Sequence, residues 1–341
     1  MGELITFISK EEIELKKKGK HLKMGLALGA GGARGLVHIG VLRILEKEGI
    51  RPDYIAGTSI GAVVAGAYAA GRSSDSIEDV FRQTDWKKMV DFTLPKSGLL
   101  EGKFVERRIR TLVRNSNFKD LRIPLQVVAY DMSLRKKTVF NKGDVTKAVC
   151  ASLAIPGIFA PLKIGSHEYI DGGVSDPTPF DLLKEMGADV IIAVDLFSKE
   201  RTVKGASFRS RGLYEDLKEK FVNVELKNAK LLLIPERWPS LIRRFLGWLF
   251  DKIFYPARVM RMITSGELPP IAKVLNETVN VLSNNLARER LKNASVDFKV
   301  LPVINSNLDW TDFDRVDDFI KIGEKAMRIH IPALKKKLGR E

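Results

Sequence analysis

Residues 54–64 read Tyr-Ile-Ala-Gly-Thr-Ser-Ile-Gly-Ala-Val-Val, and the neighbouring segments are best understood from this stretch. A short apolar run leads into a G-x-S-x-G pattern with glycines at Gly57 and Gly61 and a serine at Ser59, and a helical pattern follows. This is the pattern of a nucleophile elbow, a sharp strand-to-helix turn that exposes the serine hydroxyl where negative charge is favoured. An ordinary β-to-α turn that contains a serine fits the same pattern, so other parts of the chain must distinguish the two interpretations.

The segments on either side of the elbow predict an α/β protein. Met24–Leu28 is an apolar run typical of a buried strand, and a Gly-rich loop and a helical pattern follow it. Strand, loop, helix, strand, elbow and helix give βαβα order, which predicts a doubly wound, mainly parallel sheet flanked by helices. Val190–Val194 has the continuous apolar character of a buried parallel strand. A last strand at Phe298–Ile304 and a last helix at Val316–Ile329 are also expected.

A change of composition after Leu196 divides the chain into expected segments. These are a charged N-terminal helix at residues 1–21, the α/β core at residues 22–198, a mostly helical insertion or cap at residues 199–295, and a final strand and helix at residues 296–341 that complete the core.

The composition is that of a globular protein with a formal net charge of +15. This charge favours polyanions such as an anionic lipid surface, although a Lys-rich solvated surface is an equally simple explanation. Basic strands interleaved with aromatic residues and a recognition helix are both missing, so nucleic acid is not an expected partner. Without a signal-peptide pattern or a long apolar run, we expect a cytoplasmic protein, with peripheral membrane contact as an option.

The histidine and cysteine content of the sequence gives little support for a metal site or a disulfide. The chain has four histidines and one cysteine, Cys150, and they show no ligand spacing. One cysteine excludes an intramolecular disulfide. We therefore expect no metal and no cofactor.

The Gly-rich loop, Gly-Ala-Gly-Gly-Ala-Arg-Gly at residues 29–35, departs from nucleotide-binding loops. In a G-x-G-x-x-G frame that begins at Gly29, the third glycine is replaced by Arg34. The acidic residue that would hold a ribose at the end of the second strand is replaced by Gly57. A loop of exposed N–H groups at a helix start remains, which is a local anion site. Beside an elbow serine, the expected anion is the oxyanion of a tetrahedral intermediate.

A serine nucleophile needs a base, and only His167 and His330 follow Ser59 in the chain. His330 lies near the C-terminus on an apolar surface, where a structural role is expected, whereas His167 precedes a strand and could line the site. Asp171 is the better candidate, because it stands at a strand end and two glycines follow it with little bulk. A plain Asp-Gly turn would have the same sequence.

Three motifs follow one another along the chain: A-G-G-A-R-G at residues 30–35, G-T-S-I-G at residues 57–61, and D-G-G at residues 171–173. In this order they resemble the patatin-like phospholipase family. The likeness continues through further stretches at residues 36–42, 151–159 and 187–195. It covers roughly residues 22–198, so that segment is expected to be a patatin-like catalytic core.

The resemblance implies a catalytic dyad in which Ser59 is the nucleophile and Asp171 the base, with hydrolysis through an acyl-enzyme and no metal. It also implies oxyanion-hole N–H groups and supporting motif glycines. The oxyanion hole would comprise Gly31, Gly32, Ala33 and Arg34, with Arg34 steadying the loop, and the supporting glycines would be Gly35, Gly57, Gly61, Gly172 and Gly173.

Two residues depart from the pattern of the family. Ala30 stands where relatives usually have the outermost glycine of the loop. Asp176 precedes Pro177 where relatives commonly have asparagine, which adds a carboxylate near the site and leaves its role open.

Residues 237–263 combine a broad apolar face with basic flanks, which is typical of an interfacial helix on anionic lipid. A lid or cap helix packed on the core or on a second subunit has the same pattern, so a homodimer also stays open. The candidate membrane or lid residues are Phe245, Trp248, Leu249, Phe250, Ile253 and Phe254.

The function predicted from these features is a lipid acyl hydrolase of the phospholipase A, lysophospholipase or carboxylesterase type, acting on a phospholipid or fatty-acyl ester. An acyltransferase that uses the same dyad, and a non-catalytic lipid- or membrane-binding protein, are the alternatives.

Overall fold

The computed structural model describes residues 22–84, 102–197, 244, 270–305, 308 and 311–340. The expected N-terminal helix within residues 1–21 lies outside these ranges, and so does the segment 237–263 apart from Arg244. The chain divides into two compact units, Met1–Glu200 with Val274–Glu341, and Arg201–Lys273. Because the second unit falls almost wholly outside the described residues, the fold below is that of the first.

Eight strands form one mixed, mostly parallel sheet. They are β1 Met24–Leu28, β2 Tyr54–Thr58, β3 Leu125–Asp131, β4 Lys136–Phe140, β5 Leu162–Ile164, β6 His167–Asp171, β7 Val190–Val194 and β8 Phe298–Val300. The order is β5-β6-β3-β2-β1-β7-β8, with β4 paired to β3. The neighbouring strands β3, β2, β1, β7 and β8 are parallel to one another. Strands β4 and β6 are antiparallel to β3, and β5 is antiparallel to β6. The chain winds outward from β1 in both directions, which confirms the predicted doubly wound sheet.

Helices cover both faces of this sheet. They are α1 Val37–Lys47, α2 Ile60–Ala69, α3 Ser74–Arg82, α4 Lys103–Leu112, α5 Val145–Ser152, α6 Asp181–Glu185, α7 Pro270–Lys292, α8 Val316–Arg328 and α9 Ile331–Leu338. Short 3₁₀ turns at Gly32–Leu36 and Gly172–Val174 follow β1 and β6.

The core lies in two layers, one on each face of the sheet. In β1, Leu26 and Leu28 belong to the larger apolar cluster and Ala27 to the smaller one on the other face. Every residue of β1 and β7 is buried, as expected for parallel strands that helices cover on both sides. This two-sided burial explains why both strands read as continuous apolar runs.

The C-terminal part differs from the prediction in two respects. The last strand ends at Val300 instead of Ile304, and Pro302 lacks the N–H group that a longer ladder with β7 would need. A helix that was not predicted, α9, follows α8. It has a proline in its first turn and ends at Gly339 in the left-handed conformation, which are both ordinary helix boundaries.

Candidate active site

Three loops meet at one edge of the sheet. The Gly-rich loop and the elbow follow β1 and β2, which are paired with Leu28 opposite Gly57. The D-G-G turn follows β6, which places Asp171 opposite Ala129 of β3. A Cβ atom at Gly173 would lie 3.4 Å from the Cβ of Ala30, so the D-G-G turn packs against the Gly-rich loop.

Ser59 occupies a backbone conformation that is unfavourable for a residue with a side chain. Its φ is 57° and its ψ is −128°, and it lies between β2 and α2 as the elbow pattern predicts. A Cβ atom at Gly57 would lie 2.7 Å from the Cα of Ala62, and one at Gly61 would lie 2.1 Å from the carbonyl oxygen of Leu28. The two motif glycines are therefore required by close packing of the backbone.

The hydroxyl group of Ser59 is paired with the carboxylate of Asp171. Ser59 Oγ donates a hydrogen bond of 2.5 Å to Asp171 Oδ2, and both residues are buried. The other carboxylate oxygen, Oδ1, accepts a 2.7 Å bond from the N–H group of Gly173. The main-chain N–H of Asp171 donates to the carbonyl oxygen of Ala154 at 2.9 Å. These bonds hold the carboxylate in one orientation, with one oxygen directed at the serine.

Burial raises the pKa of Asp171 to about 6, although the hydrogen bonds from Ser59 and Gly173 favour the charged form. At neutral pH the carboxylate is therefore mostly ionised. It is also a stronger base than an exposed aspartate, because its pKa lies closer to neutrality. This environment suits a group that accepts a proton from a hydroxyl.

The Gly-rich loop begins a 3₁₀ turn, so its first N–H groups have no partner within the turn. Gly31 precedes the turn, and Gly32, Ala33 and Arg34 are its first three residues. Arg34 Nε donates to the carbonyl oxygen of Gly31 at 3.2 Å. The Arg34 guanidinium also lies over the ring of Phe197, 5.5 Å from its centroid. The arginine thus turns back onto the loop that contains it.

A buried histidine also holds the Gly-rich loop. His38 Nε2 donates to the carbonyl oxygen of Gly29 at 2.8 Å. Burial lowers the pKa of His38 to about 4, so the ring is neutral at physiological pH. The N–H group of Ala30 donates to the carbonyl oxygen of Pro177 at 2.8 Å, so alanine at this position leaves the loop anchored.

Ser152 is a contact of the nucleophile that the sequence did not indicate. The main-chain N–H of Ser59 donates to Ser152 Oγ at 2.7 Å, and Ser152 Oγ donates to the carbonyl oxygen of Val128 at 2.6 Å. Ser152 is fully buried at the end of α5. Its acceptor holds the strained elbow, and it also occupies the N–H of Ser59, which is therefore not available to an oxyanion. Ser152 lies in a stretch that carries the family resemblance, but nothing in the pattern indicates its partner.

Asp176, whose role the sequence left open, joins two elements at the D-G-G turn. Its buried carboxylate lies 3.0 Å from Lys137 Nζ of β4 and 3.1 Å from Arg290 Nη2 of α7. Burial raises the pKa of Asp176, and the two cations oppose that rise. Its main-chain oxygen accepts a 2.8 Å bond from Thr58 Oγ1, next to the elbow. The carboxylate therefore serves as a cross-link beside the site.

The histidine alternatives lie elsewhere. His167 Nδ1 is 2.8 Å from Asp131 Oδ2, at the start of β6. The ring of His330 packs edge-on against Phe298, the first residue of β8, so it lies at the opposite end of the sheet from Ser59. The structure thus pairs Ser59 with Asp171, and both histidines have other partners.

The described part of the chain contains neither a metal-binding cluster nor a membrane-spanning helix. No group of three or more His, Cys, Asp or Glu residues there is arranged to hold a metal ion. No helix there is long and apolar enough to cross a membrane. The candidate membrane or lid residues from Phe245 to Phe254 lie outside the described residues.

Comparisons with known proteins match the core of the chain to one family. The sequence profile described as "Patatin-like phospholipase" matches residues 26–184. An uncharacterized NTE family protein of Mycobacterium tuberculosis is 36% identical over 180 residues, which cover 52% of this chain and 50% of that protein. Patatin-like phospholipase domain-containing protein 6 of Homo sapiens is 34% identical over 190 residues, 52% of this chain and 14% of that protein.

The matched region thus spans about half the length of the mycobacterial relative and a small part of the human one. Among solved structures, VipD from Legionella pneumophila aligns at 14% identity with a TM-score of 0.49, covering 92% of this chain and 67% of that one. The family match includes the Gly-rich loop, the elbow and the D-G-G turn. Residues 26–184 therefore match the patatin-like phospholipase family.

Proposed function

We propose that the protein is a lipid acyl hydrolase in which Ser59 is the nucleophile and Asp171 the general base. The observation that carries this proposal is the 2.5 Å hydrogen bond from Ser59 Oγ to Asp171 Oδ2 at a strained elbow. A buried carboxylate with a pKa of about 6 is a suitable acceptor for the proton of that hydroxyl.

In the first half-reaction, Ser59 Oγ attacks the ester carbonyl carbon while its proton moves to Asp171 Oδ2. The carbonyl π electrons move onto oxygen and form an oxyanion. The oxyanion accepts hydrogen bonds from N–H groups of the Gly-rich loop at Gly31, Gly32 and Ala33, where the start of a 3₁₀ turn leaves donors unpaired. When the carbonyl re-forms, the bond to the alcohol breaks and the alcohol takes the proton from Asp171. Ser59 then carries the acyl group.

In the second half-reaction, Asp171 removes a proton from water, and the hydroxide attacks the acyl-enzyme. A second oxyanion forms at the same donors and collapses to a free fatty acid, and the proton returns to Ser59 Oγ. Each step moves one proton between the carboxylate and an oxygen nucleophile or leaving group. The mechanism therefore uses no metal and no cofactor.

The proposed substrates are phospholipids or other fatty-acyl esters. The match of residues 26–184 to a phospholipase family supports this class, and the formal net charge of +15 would attract the protein to an anionic lipid surface. Residues 237–263 remain a proposed interfacial or lid segment, which liposome flotation of the chain with and without them would test. Equal flotation would contradict that role.

Hydrolysis by purified variants tests the catalytic proposal. We expect the wild type to hydrolyse a p-nitrophenyl fatty ester and a phospholipid, and Ser59→Ala and Asp171→Asn to lose at least about 1000-fold in kcat/KM. Ser59→Ala should also lose labelling by a fluorophosphonate. Cys150→Ala is a control at a half-buried thiol, whose pKa burial raises to about 12, and it should remain active.

Undiminished turnover by either dyad variant would contradict the proposed dyad. A folded wild type that hydrolyses no acyl ester and still binds lipid would instead favour the non-catalytic alternative. Product analysis in the presence of an added alcohol separates hydrolysis from acyl transfer, because a transferase would form the new ester in place of the free acid.

A further inference from the structure

The exposed large apolar side chains of the described residues are concentrated at one end of the molecule. All but Ile329 lie at or beyond the sheet edge that carries Ser59 and Asp171. These side chains belong to Phe104, Met132, Leu134, Val274, Leu275, Val281, Leu282 and Val303. Single exposed apolar residues are normal on a protein surface, whereas several of them collected at one edge mark an interaction surface.

The hairpin between β3 and β4 extends beyond the site. Val128 of β3 lies level with Thr58, and Asp131 is three residues further along, which corresponds to about 10 Å of strand. The tip, residues 132–137, is exposed throughout. Met132 is 44% and Leu134 is 52% exposed.

Main-chain hydrogen bonds keep this hairpin tip in place. The N–H group of Leu134 donates to Asp131 Oδ1 at 2.9 Å, and that of Met132 donates to the carbonyl oxygen of Glu168 at 2.8 Å. The side chains of Met132 and Leu134 are therefore exposed on a turn that hydrogen bonds hold in place.

Helix α7 extends beyond the same edge. Ser283 Oγ donates to the carbonyl oxygen of Gly173 at 2.9 Å, which places this residue beside the D-G-G turn. From there the helix runs down over the sheet towards Leu291, which packs in the smaller core cluster. In the other direction, Val274 is nine residues from Ser283, or about 13 Å along the helix axis. Val274 and Leu282 are each 61% exposed.

Cations accompany the apolar side chains. The tip residues 132–137 contain Arg135, Lys136 and Lys137 and no acid. Because Lys137 is paired with Asp176, the positive charge of the tip comes from Arg135 and Lys136. On α4, the Arg107 guanidinium lies 5.4 Å from the ring centroid of Phe104. Apolar side chains with basic neighbours are the combination that binds an anionic lipid interface.

We propose that this end of the catalytic unit, made of the β3–β4 hairpin tip and of Val274, Leu275, Val281 and Leu282 on α7, is a lipid-binding face that docks on membranes containing anionic lipid. The proposal rests on the proposed function, because it names the surface through which the site would reach its substrate. Interfacial segments bury their apolar side chains about 5–10 Å deep. A tip that projects about 10 Å past the level of Thr58 would then place Ser59 near the ester groups of the lipid.

Flotation of the full-length protein with phosphatidylcholine vesicles, with and without phosphatidylserine, tests this face. We expect wild-type binding that requires phosphatidylserine, and at least a tenfold weaker binding when Met132→Asp and Leu134→Asp are combined. The pair Val281→Asp and Leu282→Asp should have the same effect. Ile329→Asp is the matched control, because Ile329 is 72% exposed and precedes His330 at the opposite end of the sheet.

Hydrolysis of a soluble short-chain ester should be the same in all these variants, because none of the substituted residues contacts the dyad. Wild-type binding by both double variants, or an equal loss in Ile329→Asp, would overturn the proposed face. A wild type that does not bind vesicles would overturn it too, while continued hydrolysis of the soluble ester would leave the proposed function standing. A wild type that does not hydrolyse the soluble ester would contradict the proposed function instead.

Discussion

Asp171 is held in an environment that favours its neutral form. The residue is buried, and burial raises the pKa of its carboxyl group to about 6, above the ordinary value for aspartate. The hydrogen bonds from Ser59 and Gly173 lower the pKa only in part. The ionised form that the proposed mechanism needs is therefore present at neutral pH, but it costs stability.

The proposed base predicts an acid limit for activity. Asp171 accepts a proton only when it is ionised, so kcat/KM for a soluble ester should fall about tenfold per pH unit below an apparent pKa of about 6. A pH–rate profile measured between pH 4 and pH 9 on a substrate without ionisable groups checks this. A profile with its acid limb at the ordinary aspartate value would show that a different or exposed carboxylate limits the reaction.

The same pKa predicts that Asp171 destabilises the fold at neutral pH. A carboxyl group whose pKa is raised on folding contributes stability below its unfolded pKa, and this contribution is lost as the pH rises through about 6. We expect the free energy of unfolding of Asp171→Asn to exceed that of the wild type by about 1–3 kcal/mol at pH 8, with a higher unfolding temperature. This advantage should be lost near pH 4. Calorimetry at the two pH values measures it. A less stable variant at pH 8 would contradict the assignment.

Ser152 acts through the main chain of the nucleophile and is therefore a positioning residue. In Ser152→Ala the buried N–H of Ser59 loses its acceptor, which costs about 1–3 kcal/mol. We expect kcat/KM to fall about 10- to 100-fold. We also expect the acid limb to move to higher pH, because a displaced Ser59 no longer donates the hydrogen bond that lowers the pKa of Asp171.

Thr146→Val is the matched control for this change. Thr146 is fully buried on the same helix, α5, and its hydroxyl has no hydrogen-bond partner in the part of the chain that the structure describes. The control should keep both the rate and the position of the acid limb. If Ser152→Ala lost stability but kept the wild-type profile, Ser152 would be only a structural residue.

Helices α1 and α8 cross with their backbones in contact. A Cβ atom at Gly323 would lie 2.0 Å from the carbonyl oxygen of Val37, and one at Gly40 would lie 2.1 Å from that of Ile320. Backbone atoms cannot move aside as a side chain can, so the two glycines set the distance between the helices. This contact anchors α8, from the end of the chain, beside the helix that follows the Gly-rich loop.

Substitution at this crossing should destabilise the protein. Gly323→Ala would force the helices apart, at a cost of about 1–3 kcal/mol or more, despite the better helix propensity of alanine. Lys325→Ala, at an exposed position of α8, is the control and should change stability by less than about 0.5 kcal/mol. Thermal unfolding of both variants measures the difference. Equal stability would mean that the crossing relaxes at no cost.

In the catalytic unit as a whole, the core lies on the two faces of the sheet and the candidate site lies at one edge of it. Both faces of β1 and β7 are buried, and the chain reverses its direction of winding between these two strands. Ligand sites in doubly wound sheets lie at the carboxyl ends of strands near such a reversal. The Gly-rich loop leaves β1 at this point, which places the oxyanion candidates beside the elbow.

The net charge of +15 predicts an effect of salt on lipid binding. Exposed charges are screened over about 10 Å at 0.1 M salt and over about 3 Å at 1 M. Binding to phosphatidylserine-containing vesicles should therefore weaken with added KCl, whereas kcat/KM for a neutral soluble ester should change less than about twofold. Vesicle binding that is independent of salt would show that apolar contact alone drives it.

Local patterns in the sequence were sufficient for the strands β1, β2 and β7, for the helices that follow β1 and β2, and for the location of the elbow. The apolar runs of β1 and β7 and the glycines around Ser59 are properties of neighbouring residues, and local sterics impose them. The poor histidine candidates also pointed to Asp171. The helix α9, the early end of β8 and the role of Asp176 were not predicted, because each depends on contacts that no periodicity records.

The pairing of Ser59 with Asp171 joins residues 112 positions apart, and that of Ser59 with Ser152 joins residues 93 apart. Such contacts exist only after the sheet has formed, because the register of β3 with β2 and β6 brings those segments to one edge. Burial follows from the same event and sets the pKa of Asp171. Ser59 and Asp171 could thus be named from motifs in the sequence, whereas Ser152 could not. Their distances, their protonation and the exposed apolar side chains around them depend on packing between segments that are remote along the chain.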